Sequence, residues 1–265
     1  MLKPHSFFDL TLFAHPEIFS SAEFVWDGLK KLKSYMENQS YPQLPGCAKK
    51  CEPLTQTLVF YGNTFLEARE LRIEYGDATK GNLKVYRGEE ILAGASVIMA
   101  GAILLGDKIR FGQGVKVESG AYIASPAIIG DMTEIRQGAY LRGYCLIGRK
   151  CVVGHVTEVK HTIFLDSAKA GHFAYVGDSI LGNDVNLGAG TKLANLRFAP
   201  GNVQVRTKNG SVDSGLKKFG AIMGDSVQTG CNSVTNPGTL LGKKSLLLPN
   251  TTAPSGFHEK NSIIR

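Results

Sequence analysis

Every sixth residue from Ile91 is apolar: Ile91, Val97, Ile103, Ile109, Val115 and Ala121. After a shift of register near Ser125-Pro126, a second series runs Ile123, Ile129, Ile135, Leu141, Ile147, Val153, Val159 and Leu165. The rhythm resumes at Leu181, Leu187 and Leu193, and more weakly at Val234, Leu240 and Leu246. A period of six fits neither the 3.6 of an amphipathic helix nor the alternation of an ordinary strand, but it is the signature of a parallel β-helix. Each hexapeptide then makes one short strand and one corner, with the aliphatic residue pointing into the coil. Gly130, Gly148, Gly154, Gly182, Gly188, Gly224 and Gly242 follow the aliphatic positions where the backbone turns, which explains much of a glycine count of 31. Three such sides close a coil of about 18 residues, so residues 18 apart are expected to stack.

The predicted fold class is all-β, a parallel β-helix over residues 87–253 with a small N-terminal α/β extension over residues 1–86 and a C-terminal tail at 254–265. Within the extension, Ser20 and Glu23 have the spacing of a capping box, and Val25, Leu29, Leu32 and Met36 mark one face of a helix reaching about Asn38. Residues 57–86 read as irregular strands leading into the coils. Between Asn195 and Phe219 the six-residue rhythm lapses, and Val203, Val205 and Asn209-Gly210 predict a hairpin excursion over about 197–217.

Composition narrows the chemistry. No run of about 18 uncharged apolar residues is present, and the start of the chain lacks the pattern of an export signal, so no membrane association and a cytoplasmic setting are expected. Five cysteines, Cys47, Cys51, Cys145, Cys151 and Cys231, form no disulfide framework. Cys47 and Cys51 alone are too loose a pair for zinc, and no metal is expected. A net charge of +7 favours an anionic partner. Basic residues are scattered rather than clustered with aromatics, which favours phosphorylated small molecules over nucleic acid.

The densest polar pattern is Ala170 to Asn195, AGHFAYVGDSILGNDVNLGAGTKLAN. Here the chain resembles the acetyltransferase half of the bifunctional glucosamine-1-phosphate acetyltransferase/N-acetylglucosamine-1-phosphate uridyltransferases, and more broadly the hexapeptide-repeat acyltransferases. The likeness extends from about Arg136 to Gly230, apart from the excursion. It implies a left-handed parallel β-helix, a homotrimer with sites between neighbouring subunits, acetyl-CoA or another acyl-CoA as co-substrate, and a phosphorylated or nucleotide-linked sugar as acceptor.

By the same resemblance His172, in a G-H-x-x-Y-x-G-D pattern with Tyr175 and Asp178, would be the general base. The chemistry is reasonable in itself, because an amine attacking a thioester must lose a proton and an imidazole with an unperturbed pKa near 6.5 can take it. Tyr175, Asn186 and Asn195 fall at sugar-binding positions, Lys160 at the phosphate-binding lysine and Lys218 at a second lysine near the sugar. The matching arginine has two candidates. Arg136 fits the local sequence, whereas Arg142 lies 18 residues before Lys160 and should sit one coil below it. Ala189, in Gly-Ala-Gly, would offer the backbone N–H for the oxyanion and room for the coenzyme A arm, with Cys231 at a cofactor-contacting position in the next coil.

Departures from the pattern are Leu196, where the family has tyrosine, the long excursion, and Cys231, where serine is usual. No uridyltransferase signature precedes the coils. Two other function classes fit the same fold. One is a non-catalytic sugar-nucleotide binder, which Leu196 favours. The other is a zinc-dependent hydro-lyase of the carbonic-anhydrase type using His155, His161 and His172, whose spacings do not reproduce the close histidine pair that such a site uses.

Overall fold

The structure, a computed structural model, describes residues 2–46 and 51–265; Cys47 of the loose cysteine pair lies outside the described residues. Short parallel strands wind into a solenoid of about nine turns with three faces. The first face climbs through Lys116–Val117, Glu134–Ile135, Val152–His155, Lys169–His172, Asn186–Leu187 and Gln228–Thr229. The second climbs through Tyr140–Arg142, Glu158–Lys160, Tyr175–Gly177 and Lys192–Leu193, and the third through Ile109–Phe111, Ala127–Ile129, Cys145–Ile147, Thr162–Phe164 and Ile180–Leu181. An antiparallel hairpin, Leu58–Tyr61 with Thr64–Glu67, pairs with Ser96–Ile98 and covers the lower edge of the first face, which would otherwise offer unpaired backbone groups.

The six-residue rhythm holds, but its phase slips where coil length changes. Register offsets are 18 residues from Tyr140 to Glu158, then 17 from Glu158 to Tyr175 and 17 again from Tyr175 to Lys192. Each shortened coil moves the inward position back by one. Phe164 therefore fills the interior where the pattern pointed to Leu165, and Leu165 packs outside. Lower down, Ile98 and Leu104 point inward. Val97 instead packs under the hairpin, and Ile91 is about half exposed. The phase changes between Leu104 and Phe111 rather than near Ser125-Pro126, because the inward sequence Phe111, Val117, Ile123 and Ile129 is unbroken there.

Corners are tight. At Gly154 an added Cβ would lie 1.8 Å from the carbonyl oxygen of Gly171, so the two coils can approach only without a side chain. Non-glycine corner residues take left-handed backbone angles, including Val156, His161, Phe173 and Asp178. The interior of the corners is filled by small residues such as Ala168 and Ala174, or by Thr133, Thr157 and Ser179, whose hydroxyls bond carbonyl groups of the coil.

The third face is apolar on both sides. Its outward ladder Ile128, Leu146, Ile163, Ile180, Ile222 and Leu240 is covered by the N-terminal extension, chiefly Phe7, Phe19, Trp26, Leu29 and Leu32. The helix of the extension is Asp27–Glu37. The expected capping box does not form: Ser20 closes a preceding 3-10 turn, and Asp27 accepts the Phe24 N–H instead. Gly28 lets the helix sit close, since a Cβ there would come within 2.7 Å of the Phe19 ring and 3.5 Å of Ile163.

Residues 204–213 form an antiparallel hairpin, Gln204–Thr207 with Gly210–Asp213, closed at its base by the bridge between Leu196 and Lys218. Val203 and Val205 join the same cluster as the extension. The last twelve residues, expected as a tail, instead supply Gly256–His258 and Ile263–Ile264 to the third and first faces, because Phe257 and Ile264 keep the outward and inward apolar spacing.

If the extension is held mainly by the outward ladder, Ile163→Ala should lower the unfolding free energy by about 2–4 kcal/mol. Urea denaturation checks this, and a change within about 0.5 kcal/mol would be the effect of an ordinary surface site.

Candidate functional site at the first corner and second face

The six-residue design turns alternate side chains outward, and on the second face those side chains are polar. One outward ladder is Tyr140, Glu158, Tyr175 and Lys192. The pairing of Leu141 with Val159 places Arg142 and Lys160 at successive levels of the neighbouring ladder, and Gly177 follows Lys160. Arg136 is elsewhere, on the first face, where it donates to Glu134 at 2.8 Å. Glu134 is buried and also accepts from Lys116 at 2.8 Å and from the Ala78 N–H at 3.0 Å. Burial raises the pKa of that carboxyl, but these three partners outweigh it and hold the value below the usual carboxylate range. Arg136 thus serves an ion cluster that docks the Gly76–Gly81 turn.

Neither cation of the second face is free. Arg142 donates to Glu158 at 2.6 Å, and Lys160 lies 3.3 Å from Asp178. Asp178 is the hub of the face: it is 5% exposed, yet accepts from His161 Nδ1 at 3.0 Å and from the Asn195 amide at 2.5 Å as well as from Lys160. Burial pushes its carboxyl pKa up, while the hydrogen bonds from His161 and Asn195 and the charge of Lys160 pull it below 3.8 overall. Tyr175 stands beside this hub. Burial, with the charges of Asp178 and Glu158, raises its phenol pKa, so it is a neutral donor near pH 7. Gly177 makes the arrangement possible, since an added Cβ would lie 2.6 Å from the Tyr175 hydroxyl and 2.7 Å from the Asn195 amide.

His172 ends the first-face strand at the corner leading to this second face, and it is exposed. Among the described residues its imidazole has no hydrogen-bond partner. His155 pairs with it one coil below and donates to the Gln137 carbonyl at 3.0 Å, while the exposed Phe173 packs edge-on against the His155 ring. One coil above, Gly190 N–H donates to the His172 carbonyl at 3.0 Å, which sets Ala189 over the histidine. The Ala189 N–H itself has no protein acceptor among the described residues, and Cys231 is exposed at the same corner a coil further up.

Tyr175, Lys160, Arg142 and Asn195 are therefore gathered on one face, and Lys218 adjoins them where Phe219 N–H bonds the Asn195 carbonyl at 2.9 Å. Asn186 is not among them. It faces outward from the first face between Lys169 and Gln228, around the corner from Tyr175. His161 turns to the opposite corner, toward Asp178, so the three histidines of the zinc reading do not converge. Two carboxylates absent from the predicted site belong to the cluster. Glu158 was visible in Thr-Glu-Val-Lys and Asp178 in the Gly-Asp of the motif, but only the alternation of side chains puts Glu158 on the face of Lys160, and only the shortened coil sets Asp178 at the adjoining corner, within reach of it.

The solenoid is a hexapeptide-repeat β-helix. Residues 123–253 match the family described as the GMPPB C-terminal domain. The chain is 41% identical over 90 residues to a bifunctional sugar-1-phosphate nucleotidylyltransferase/acetyltransferase of Sulfurisphaera tokodaii, covering 34% of this chain and 22% of that protein. It is 39% identical over 105 residues to the bifunctional protein GlmU of Methanococcus vannielii, covering 40% of this chain and 25% of that one. A longer match, 28% identical over 195 residues, is to the bifunctional protein GlmU of Wigglesworthia glossinidia brevipalpis, covering 70% of this chain and 38% of that protein. The chain thus spans about a quarter of the length of the first two relatives. No helix among the described residues is long and apolar enough to cross a membrane.

The hub makes a pH-dependent prediction. A carboxyl with a depressed folded pKa stabilises the fold above its unfolded value, and that contribution is lost as pH falls through the folded value. Asp178→Asn should therefore cost about 1.5–3 kcal/mol at pH 7, the usual range for hydrogen bonds to a charged group. The gap between wild type and variant should close as the pH drops below 3.8. Urea melts at several pH values check this, and equal stability at pH 7 would remove Asp178 as the organiser of the face.

Proposed function

We propose that this chain is an acyltransferase that moves an acetyl or related acyl group from coenzyme A to an amino sugar bearing a phosphate or nucleotide, with His172 as general base. The observation that carries the reading is the corner itself. An exposed imidazole with no partner among the described residues lies one coil below a backbone N–H that is also without one, beside a polar face of the kind that binds a sugar. The Sulfurisphaera tokodaii relative, named as a nucleotidylyltransferase/acetyltransferase, supports the reaction class.

In the proposed reaction the acceptor amine attacks the thioester carbonyl and passes its proton to His172. The Ala189 N–H would receive the developing oxyanion, and the thiol of coenzyme A leaves with a proton. Tyr175 and Asn195 would bind sugar hydroxyls. Lys160 and Arg142 would meet the phosphate, each already balanced by a carboxylate that keeps its side chain in place. Cys231 would border the coenzyme A arm. Asn186, around the corner from Tyr175, would complete a site formed against a second subunit, which is the role of the homotrimer in this reading. The acceptor would arrive already phosphorylated or nucleotide-linked, and a cytoplasmic setting in cell-envelope sugar metabolism would follow from that chemistry.

Replacing His172 by alanine should lower kcat by about 10² to 10⁴-fold, the usual contribution of a positioned general base. Melting temperature and coenzyme A affinity should be unchanged. A His172→Ala protein with full turnover would exclude the histidine as base.

Lys160→Ala and Arg142→Ala should raise KM for the acceptor more than they lower kcat, because a fixed charge on a phosphate acts in ground and transition states alike. Arg136→Ala should weaken folding through the Glu134 cluster and leave KM near wild type. A larger KM effect at Arg136 than at Arg142 would contradict the assignment of the second face. Light scattering should give three times 28.6 kDa, and a monomer at micromolar concentration would exclude a shared site.

A further inference from the structure

A second place in the molecule holds a cation with little to do. Arg110 points outward from the third face, where its Cα partner is Ile128, into the seam beneath the N-terminal extension. The seam encloses a cavity of about 260 Å³ walled by His15, Arg110, Ile128, Asp131, Arg149 and Asp166. Arg110 forms no ion pair among the described residues. Its contacts are the Ser40 carbonyl and His15 Nε2, both at 3.4 Å, near the outer limit for a hydrogen bond. A guanidinium carries five donors, and a half-buried one with most of them unspent is costly unless an anion meets it.

The other charged groups of the wall are already engaged. Arg149 Nε donates to Asp166 at 2.8 Å, and Asp131 accepts the Gln113 N–H at 2.8 Å at an exposed position. His15 is held by a relay. Tyr35 donates its hydroxyl hydrogen to Glu17, so its oxygen is left to accept from His15 Nδ1, 2.6 Å away. Nε2 then keeps its lone pair and faces Arg110. Burial and the charge of Arg110 lower the His15 pKa from its ordinary 6.5, so near neutral pH the imidazole adds no second positive charge. Among the described residues Arg110 is the wall's one cation without an ion pair, set beside Ile128, while Asp131, the one carboxylate without one, is at an exposed position; the Arg110 end suits one negative charge on an apolar body.

We propose that the seam between the N-terminal extension and the third face is a binding site for a small aliphatic monocarboxylate, its two oxygens held by Arg110 and its chain lying against Ile128. The cavity is below the usual size range of sites for larger ligands, which fits a short acid rather than a sugar nucleotide. This site is separate from the His172 corner and does not depend on the acyltransfer reading. The extension that covers the third face would then be both a packing element and one wall of a ligand site.

The test is calorimetric titration of the full chain with acetate, butyrate, hexanoate and inorganic phosphate. Affinity should rise from acetate to hexanoate, by up to about fourfold for each methylene buried. Phosphate should bind more weakly than hexanoate. Arg110→Ala should weaken hexanoate at least about tenfold, and Arg110→Gln, which keeps a polar side chain of similar reach, should do the same with a wild-type melting temperature. Hexanoate should shift the His15 imidazole resonances in NMR spectra and leave those of His172 in place, and His172→Ala should bind it as wild type does. Absence of hexanoate binding, phosphate binding as tightly as hexanoate, full affinity in Arg110→Gln, or loss of binding in His172→Ala would each overturn the proposal.

Discussion

The structure depends on the stacking of inward aliphatic side chains at equivalent positions of successive coils. Ile123, Leu141, Val159, Val176 and Leu193 form one such column behind the second face, and Leu141, Val159 and Val176 sit next to Arg142, Lys160 and Tyr175 of the candidate site. Because strand side chains alternate, fixing the inward residue fixes the direction of its neighbours. The polar face is thus positioned by an apolar column rather than by loops. In a solenoid stabilised by neighbour contacts, such a face depends on coil length, since a coil one residue shorter moves every later inward position back by one.

Coil length is where this chain departs from a uniform repeat, and it does so at the candidate site. The 17-residue offsets bring Gly177, not Asp178, into register with Lys160, leaving Asp178 at the following corner with a left-handed backbone. From there its carboxylate reaches Lys160, His161 and Asn195 together. The same hub joins the face to the base of the excursion, because Asn195 and Asp178 carbonyls receive the Phe219 and Gly220 N–H groups. A buried carboxylate with three side-chain donors is costly to disturb, and it links the outward side chains of the second face to the fold.

Much of the architecture was legible in the sequence, because a period of six has few other physical explanations. The hairpin at the excursion was readable from Asn209-Gly210, and the helix from the spacing of Val25, Leu29, Leu32 and Met36. The phase slips were not, since Phe164 and Leu165 are both apolar and only the 17-residue register decides which points inward. The capping box failed because Ser20 ends one turn before another begins. At the site, the motif exposed His172, Tyr175, Asn195 and Lys160, and spacing alone put Arg142 in the Lys160 ladder. Glu158 and the hub role of Asp178 required knowing which residues share a face. The Arg110 seam had no sequence signal, as it joins Phe13–His15 to a strand some 95 residues later.

The central claim is that the His172 corner and the second face together transfer an acyl group to a sugar amine. It is tested most directly by following free thiol released from acetyl-CoA by the wild-type chain with amino sugar phosphates and nucleotide-linked amino sugars, beside the same sugars carrying a hydroxyl in place of the amine. The account predicts thiol release that depends on the amine and is matched by one acylated sugar per thiol. Tight binding of those sugars with no thiol release from acetyl-CoA or longer acyl-CoA donors would contradict it and make the chain a sugar-binding β-helix without turnover.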